Sequence, residues 1–348
     1  MYKKFFMGIA AMAAMTLVSC SSDDLNSLSD NSSKNEAISF DGYLGRSAVA
    51  VNGSRGSVLE IDDLKKSDKG FGVFGNYSSK GTTTAYGDNL FKNEQVTYST
   101  DETKWKYEPV KYWSPAGHID FLAYAPYDSN QKLKESSKLD FTVNSTITAQ
   151  KDLLWANAAN KTKTDQPVTF TFKHALAKIG YSVKTSTAAA KGTTITLNQI
   201  TLAGSKDGAK GAFYSAGTID LSKTSSTDLW TNLNSETKHK FDWVSTNKTL
   251  STTLTKNDDT EYLFVIPQDF SQKTTSADVL YVVVDYTITY SDQTTMNTKV
   301  YQQLKQEFEQ GKAYTINLTI GLTPIDFNAE VTPWTAADNT NTDIDTWN

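Results

Sequence analysis

Beyond residue 20 no segment of this chain carries a long apolar repeat of 3.6 residues, and that constrains its fold more than any motif. Short runs rich in β-branched and aromatic residues take its place. Among them are "AISFDGYLG" (37–45), "GFGVFGNY" (70–77), "HIDFLAYAP" (118–126), "VTFTF" (168–172), "TITLNQITLAG" (194–204) and "AYTINLTIGL" (313–322). Gly, Asn, Asp and Ser separate the runs, as turns require. In "YVVVDYTITY" (281–290) Val282, Val284, Tyr286 and Ile288 share one face of an extended strand. Such residues suit a pleated, half-buried surface, and aromatics make up 11% of the chain. Many strands without intervening helices predict an all-β protein built of sandwiches. A sandwich domain takes roughly 100–150 residues. The 348 residues therefore predict two in tandem, spanning 37–166 and 167–320. The polar stretch 157–167, "NAANKTKTDQP", reads as the linker or as a long loop. "HALAKIG" reads as a helical turn or as a continuing strand.

The first twenty residues carry a different message. Lys3 and Lys4 precede an apolar stretch from Phe5 to Val18, which is the pattern of an export signal and is too short to span a membrane comfortably. It ends in Leu17-Val18-Ser19-Cys20, which resembles a bacterial lipobox. Cys20 is the chain's one cysteine. A lone cysteine in an exported chain needs a reason. Acylation of Cys20, which closes the lipoprotein signal peptide of residues 1–20, with the peptide before it removed, supplies one. With that cysteine lipidated, disulfides and thiolate chemistry are excluded. Residues 21–36 are rich in Ser, Asn and Asp and read as a flexible tether. The acidic Ser21–Asp24 resembles the tag that sends some lipoproteins to the cell surface.

Signs of catalysis are weak. His118, His174 and His239 lie on separate runs without a short ligand spacing, so no metal site is expected. Phosphate-loop, dinucleotide and nucleophile-elbow patterns do not occur. The acidic clusters read as solvated loops, and no cofactor or catalytic residue is expected. A net charge of −5 leaves no basic footprint for nucleic acid. Trp105, Trp113, Trp155 and Trp243 read as core residues.

Five blocks, in order, resemble the fimbrillin family, the lipoprotein-derived subunits of type V pili. They are "GFGVFGNY", "WKYEPVKYWSPAGHIDFLAYAPY", "VTFTFKHALAKIGYSV", "YLFVIPQ" and "GKAYTINLTIGLTPIDFNAEVTPW". The resemblance runs from Ala37 to Trp334. It implies two tandem transthyretin-like β-sandwich domains, export and lipidation at Cys20, and display at the outer membrane. It further implies cleavage by an arginine-specific protease, removal of the first strand, and entry of the C-terminal segment of another pilin subunit into the vacated groove. A filament with a role in adhesion is the implied product.

The residues can be weighed against that scheme. The chain holds two arginines, Arg46 and Arg55, against 32 lysines. Both arginines follow the first strand candidate, among small residues that favour an accessible loop. Arg46 is preferred as the cleavage point because it directly follows the strand to be removed. A donor must imitate what it replaces. Ile38 and Phe40 in "AISFDG" are answered by Ile325 and Phe327 in "PIDFNA", continued by Ala329 and Val331. Trp334 is a candidate to plug a groove on a neighbour, and residues 321–348 form the expected donor tail. Two other readings stand beside the pilus subunit. One is a surface lipoprotein that binds glycans or host protein without polymerising. The other, ranked last, is a glycoside hydrolase.

Overall fold

The computed structural model describes residues 36–44, 61–82, 85–225, 228–257, 261–271, 279–321 and 328–333. In chain order the described strands are β1 (Phe40–Leu44), β2 (Phe71–Ser78), β3 (Phe91–Ser99), β4 (Lys104–Lys106), β5 (His118–Ala125), β6 (Lys138–Thr142), β7 (Leu154–Lys161) and β8 (Val168–His174). There follow β9 (Ala177–Thr185), β10 (Thr194–Ala203), β11 (Phe213–Tyr214), β12 (Ala216–Asp220), β13 (Trp230–Thr231), β14 (Lys238–His239), β15 (Phe241–Leu250) and β16 (Thr255–Lys256). The last are β17 (Leu263–Val265), β18 (Gln268–Asp269), β19 (Leu280–Thr289), β20 (Thr295–Leu304), β21 (Glu307–Phe308), β22 (Ala313–Ile320) and β23 (Asn328–Pro333). A single α-helix, α1 (Ile61–Lys66), and a 3-10 turn at Ile147–Ala149 complete the described elements. The chain is all-β, as its periodicity predicts.

A seven-stranded sheet has the order β1-β8-β7-β5-β2-β3-β4. One face holds an aromatic core. Phe71, Phe121, Phe170 and Phe172 pack there with Phe91, Trp105 and Leu64 of α1. The alternation of "VTFTF" decides this face, since Val168, Phe170 and Phe172 are buried while Thr169 and Lys173 are exposed. The other face gives Phe74, Leu122, Tyr124 and Trp155 to a second core. β5 is accordingly buried along its whole length. Gly72 makes room for this arrangement. A Cβ there would stand 2.4 Å from Tyr124 Cε1 and 2.8 Å from Asn93 Oδ1, so only glycine lets the Tyr124 ring lie across β2.

The second core lies mainly between a four-stranded sheet, β15-β10-β19-β20, and a sheet of order β16-β9-β22-β23 on which β17 also pairs with β9. Tyr181 meets Trp243 edge-on at 5.3 Å across it. The predicted face of β19 is the buried one, with Val282, Val284, Tyr286 and Ile288 at most 1% exposed. Val283, on the opposite face, is buried as well. A Cβ built on Gly208 lies 3.9 Å from it, so the loop carrying Gly208 covers that face. "HALAKIG" resolves as the end of β8 and the start of β9, without a helical turn.

The connections cross the middle of the chain. Residues 157–167 form the end of β7 and the turn into β8, its partner in the same sheet. The division expected between 166 and 167 thus passes through a sheet, and β8 packs in the core of the preceding half. β6, in turn, pairs with β12 of the following half. Apolar burial explains both. Val168, Phe170 and Phe172 are each worth about 1.5–3 kcal/mol when buried, and the core that accepts them is the N-terminal one. A polar stretch in sequence marks a turn without saying which core the next strand joins.

Candidate functional site: the first strand and its two edges

Residues 36–44 are paired on two sides, to β8 within the seven-stranded sheet and to the segment that follows β4. On one side Ile38 N donates to Lys111 O at 2.8 Å and Trp113 N donates to Glu36 O at 2.9 Å, an antiparallel bridge with the segment after β4. On the other side β1 runs parallel to β8, with Phe40 opposite Val168 and Leu44 opposite Phe172. Every other pair in this sheet is antiparallel. Side chains reinforce the change of partner at Ser39. Gln166 Oε1 accepts from Ser39 N at 2.9 Å and from Ser39 Oγ at 2.7 Å, while Gln166 Nε2 donates to Ala37 O at 2.6 Å. Tyr107 Oη donates to Ile38 O at 2.9 Å. Burial pushes the Tyr107 hydroxyl up to about 12, so it keeps its proton and remains a donor.

Alternation sends Ile38, Phe40 and Gly42 inward and leaves Ser39, Asp41 and Tyr43 exposed. The Phe40 ring sits among four others: Phe91 at 5.5 Å, Tyr107 at 5.3 Å, Phe121 at 5.5 Å and Phe170 at 5.6 Å. A half-buried ion pair, Lys111 Nζ to Glu94 Oε1 at 2.9 Å, fixes one wall, and Lys111 Nζ also lies 5.2 Å from the Phe91 ring centre. Chemically this is a slot for a strand. It offers main-chain donors and acceptors along β8, a second set at residues 111–113, and an aromatic floor spaced for apolar side chains two residues apart. Without its occupant, β8 would present a row of unpaired backbone groups beside an open apolar cleft.

The other terminal strand is placed differently. β23 runs antiparallel to β22, with Ala329 opposite Leu318 and Val331 opposite Ile316. It forms the edge of its sheet. Ala329 is buried and Val331 is half-buried against the second core. The Gln302 carboxamide of β20 stands where another strand would. Its Nε2 donates to Ala329 O at 2.7 Å and its Oε1 accepts from Ala329 N at 2.8 Å. One side chain thus satisfies both backbone groups of that residue.

Of the residues singled out from sequence, Ile38 and Phe40 come together in one slot, and Ala329 and Val331 share one strand. Cys20, Arg46, Arg55, Ile325, Phe327 and Trp334 lie outside the described residues. Leu44, the last residue of β1, stands two positions before Arg46. Sequence reasoning missed Tyr107, Gln166 and Gln302. Each acts by a hydrogen bond to backbone far away in sequence, which no local pattern encodes. Trp105, Trp113, Trp155 and Trp243 are all at most 6% exposed. The histidines are apart. His118 Nε2 lies 3.1 Å from Asp120 Oδ2, His174 Nδ1 lies 2.7 Å from Asp152 Oδ2, and the His239 ring packs by Phe241. Asp120 also accepts from Asn160 N at 2.6 Å, which ties it to the β7 bulge.

Residues 60–334 match the model of a family described as fimbrillin-like. The chain is 26% identical to the fimbrium subunit Fim1C of Phocaeicola vulgatus, over 97% of each chain. A crystal structure of a fimbrial protein from Bacteroides vulgatus superimposes with a TM-score of 0.64 at 21% identity, covering 86% of this chain and 99% of that one.

Proposed function

The chain belongs to the fimbrillin-like family, and from that premise we propose that it is a pilus subunit assembled by strand exchange. In this reading residues 36–44 are a provisional strand. They close the N-terminal sheet until cleavage after Arg46 frees them, and the C-terminal segment of another subunit takes their place. The observation that carries the reading is the double attachment of this short segment, paired to β8 and to residues 111–113 and followed two positions on by the first of only two arginines.

The tail supplies a matching key. Set against residues 38–44, "ISFDGYL", residues 325–331 read "IDFNAEV". Ile325 falls on Ile38, Phe327 on Phe40, Ala329 on Gly42 and Val331 on Leu44. A Cβ at Gly42 would lie 3.2 Å from Phe172 Cε2, so an alanine there fits once that ring moves by a few tenths of an ångström. Main-chain pairing along β8 would give affinity and the alternate side chains would set register. A head-to-tail contact of this kind propagates into a filament. In the same reading the peptide before Cys20 is removed, Cys20 carries the lipid anchor at the outer membrane, residues 21–36 are the tether, and 321–348 the donor tail. The partners are other pilin subunits, and the finished filament serves adhesion.

N-terminal sequencing of polymer shed from cells tests the cleavage. A mature start at residue 47 is expected, and a start at Cys20 overturns it. Replacing Ile325 and Phe327 by Asp tests the donor, with polymer lost and folded monomer retained as the expected result.

A further inference from the structure

A cleft of about 390 Å³ opens where the loop after β5 faces β6 and the chain entering β7. That volume lies within the roughly 300–1,000 Å³ of small-ligand sites. It shares no lining residue with the slot of β1. Its floor is apolar and buried, with Leu139, Leu153 and Ile219 at most 5% exposed. Its rim is polar and includes Tyr127, Asp128, Asn130, Gln131 and Lys151.

The rim loop is held rigidly from beneath. Tyr124 Oη lies 2.7 Å from Asn93 Oδ1 and 2.8 Å from Asp128 O, either of which its one hydrogen can reach, and it accepts from Asp128 N at 3.2 Å. Asn93 Nδ2 donates to Asp128 O at 2.9 Å and to Gln131 O at 3.1 Å. Burial raises the ionisation of Tyr124 well above the ordinary phenol range, so the hydroxyl keeps both roles. Asp128 Oδ1 in turn accepts from Asn130 N and Nδ2 at 2.9 and 3.0 Å. A loop organised in this way presents fixed polar atoms, which lowers the ordering cost of binding.

Two carboxylates of the cleft are committed. Asp140 pairs with Lys134 and accepts from Thr218 Oγ1 at 3.0 Å. Asp152 is held by His174 at 2.7 Å and accepts from Leu153 N at 2.8 Å. Asp128 stands on the rim with Lys69 and Lys151, so both signs are present there. Tyr127 Oη, Asn130 Oδ1, Gln131 Oε1 and Lys151 Nζ find no partner among the described residues. These are donors and acceptors side by side above an apolar floor. A sugar hydroxyl both donates and accepts, and a pyranose ring has an apolar C–H face.

We propose that this cleft is a binding site for a short neutral saccharide, with Asn130, Gln131 and Lys151 engaging hydroxyls and the Tyr127 ring as a wall. Full-length chain is applied to an array holding mannose-, galactose-, N-acetylglucosamine- and sialic acid-terminated glycans, and retained sugars are titrated by calorimetry. Retention of at least one neutral glycan is expected. Asn130→Ala and Tyr127→Ala should each weaken it at least tenfold without moving the melting temperature, while Tyr301→Ala, at a remote exposed tyrosine, should leave it unchanged. Retention of sialylated glycans alone, retention of none, or loss in Tyr301→Ala in place of the cleft variants overturns the proposal. Should the Tyr127 variant unfold, Asn130→Ala, at an exposed loop residue, still decides.

Discussion

β1 and β23 are the terminal strands of the described chain, and the segments that include them share an Ile-x-Phe pattern at 38–40 and 325–327, yet the two strands are held by different forces. β1 carries apolar cargo. Ile38 and Phe40 are at most 4% exposed, each worth about 1.5–3 kcal/mol of burial, and Phe40 completes a cluster of aromatic rings. β23 carries less: Ala329 is small and Val331 is half-buried, so main-chain pairing to β22 and the Gln302 clip do most of the holding. The first strand is therefore integral to a core, while the last is an edge that leaves at lower cost. The strand exchange proposed above calls for this asymmetry, because a groove must want its occupant more than the donor's own sheet does.

The comparison breaks most visibly if residues 36–44 are deleted. The N-terminal sheet should lose cooperative unfolding and its aromatic near-ultraviolet signal, since β8 and residues 111–113 both lose their partner. A peptide of residues 325–331 should restore the signal, and the same peptide with Asp at 325 and 327 should not. If the truncated chain folds as the full one does, β1 is not integral.

Next in size is Phe40→Ala, expected to cost about 3–5 kcal/mol in denaturant unfolding, the range for a fully enclosed ring. A loss below about 1 kcal/mol would place β1 on the same footing as β23. Gln302→Ala should lose about 1 kcal/mol, in keeping with the small net worth of exchangeable hydrogen bonds. Its sharper mark is faster hydrogen exchange at Ala329 while the β1–β8 amides stay protected.

Tyr107→Phe should be the mildest, about 0.5–1.5 kcal/mol at neutral pH for the bond to Ile38 O. The pH profile adds a sign. Burial pushes the hydroxyl of folded Tyr107 up to about 12, above the ordinary phenol value of about 10, so the folded state holds its proton more tightly than the unfolded one. The associated stability is complete below pH 10 and is lost as pH rises toward 12. Melting across that interval should fall less steeply in the variant than in the natural chain.

Much of the fold was legible because a strand's period is local. The faces of β8 and β19, the four buried tryptophans and the strand at residues 38–44 all follow from which residues alternate. The boundary between the halves was not legible, because β8 follows a polar turn and still belongs to the preceding core. Nor were Gln166, Tyr107 and Gln302, whose partners lie 129, 69 and 27 positions away.

By itself the sequence determined an all-β chain, the inward residues of each strand, the likeness between the first strand and the tail, and two arginines set just behind that strand. Short-range sterics and alternation suffice for these, since each depends on neighbours within a few positions. Only the tertiary structure decided that residues 36–44 are paired to both β8 and residues 111–113 while β23 lies on an edge under a glutamine clip. Pairing partners are chosen by the burial available at a distance, and that choice exists only once the sheets have met.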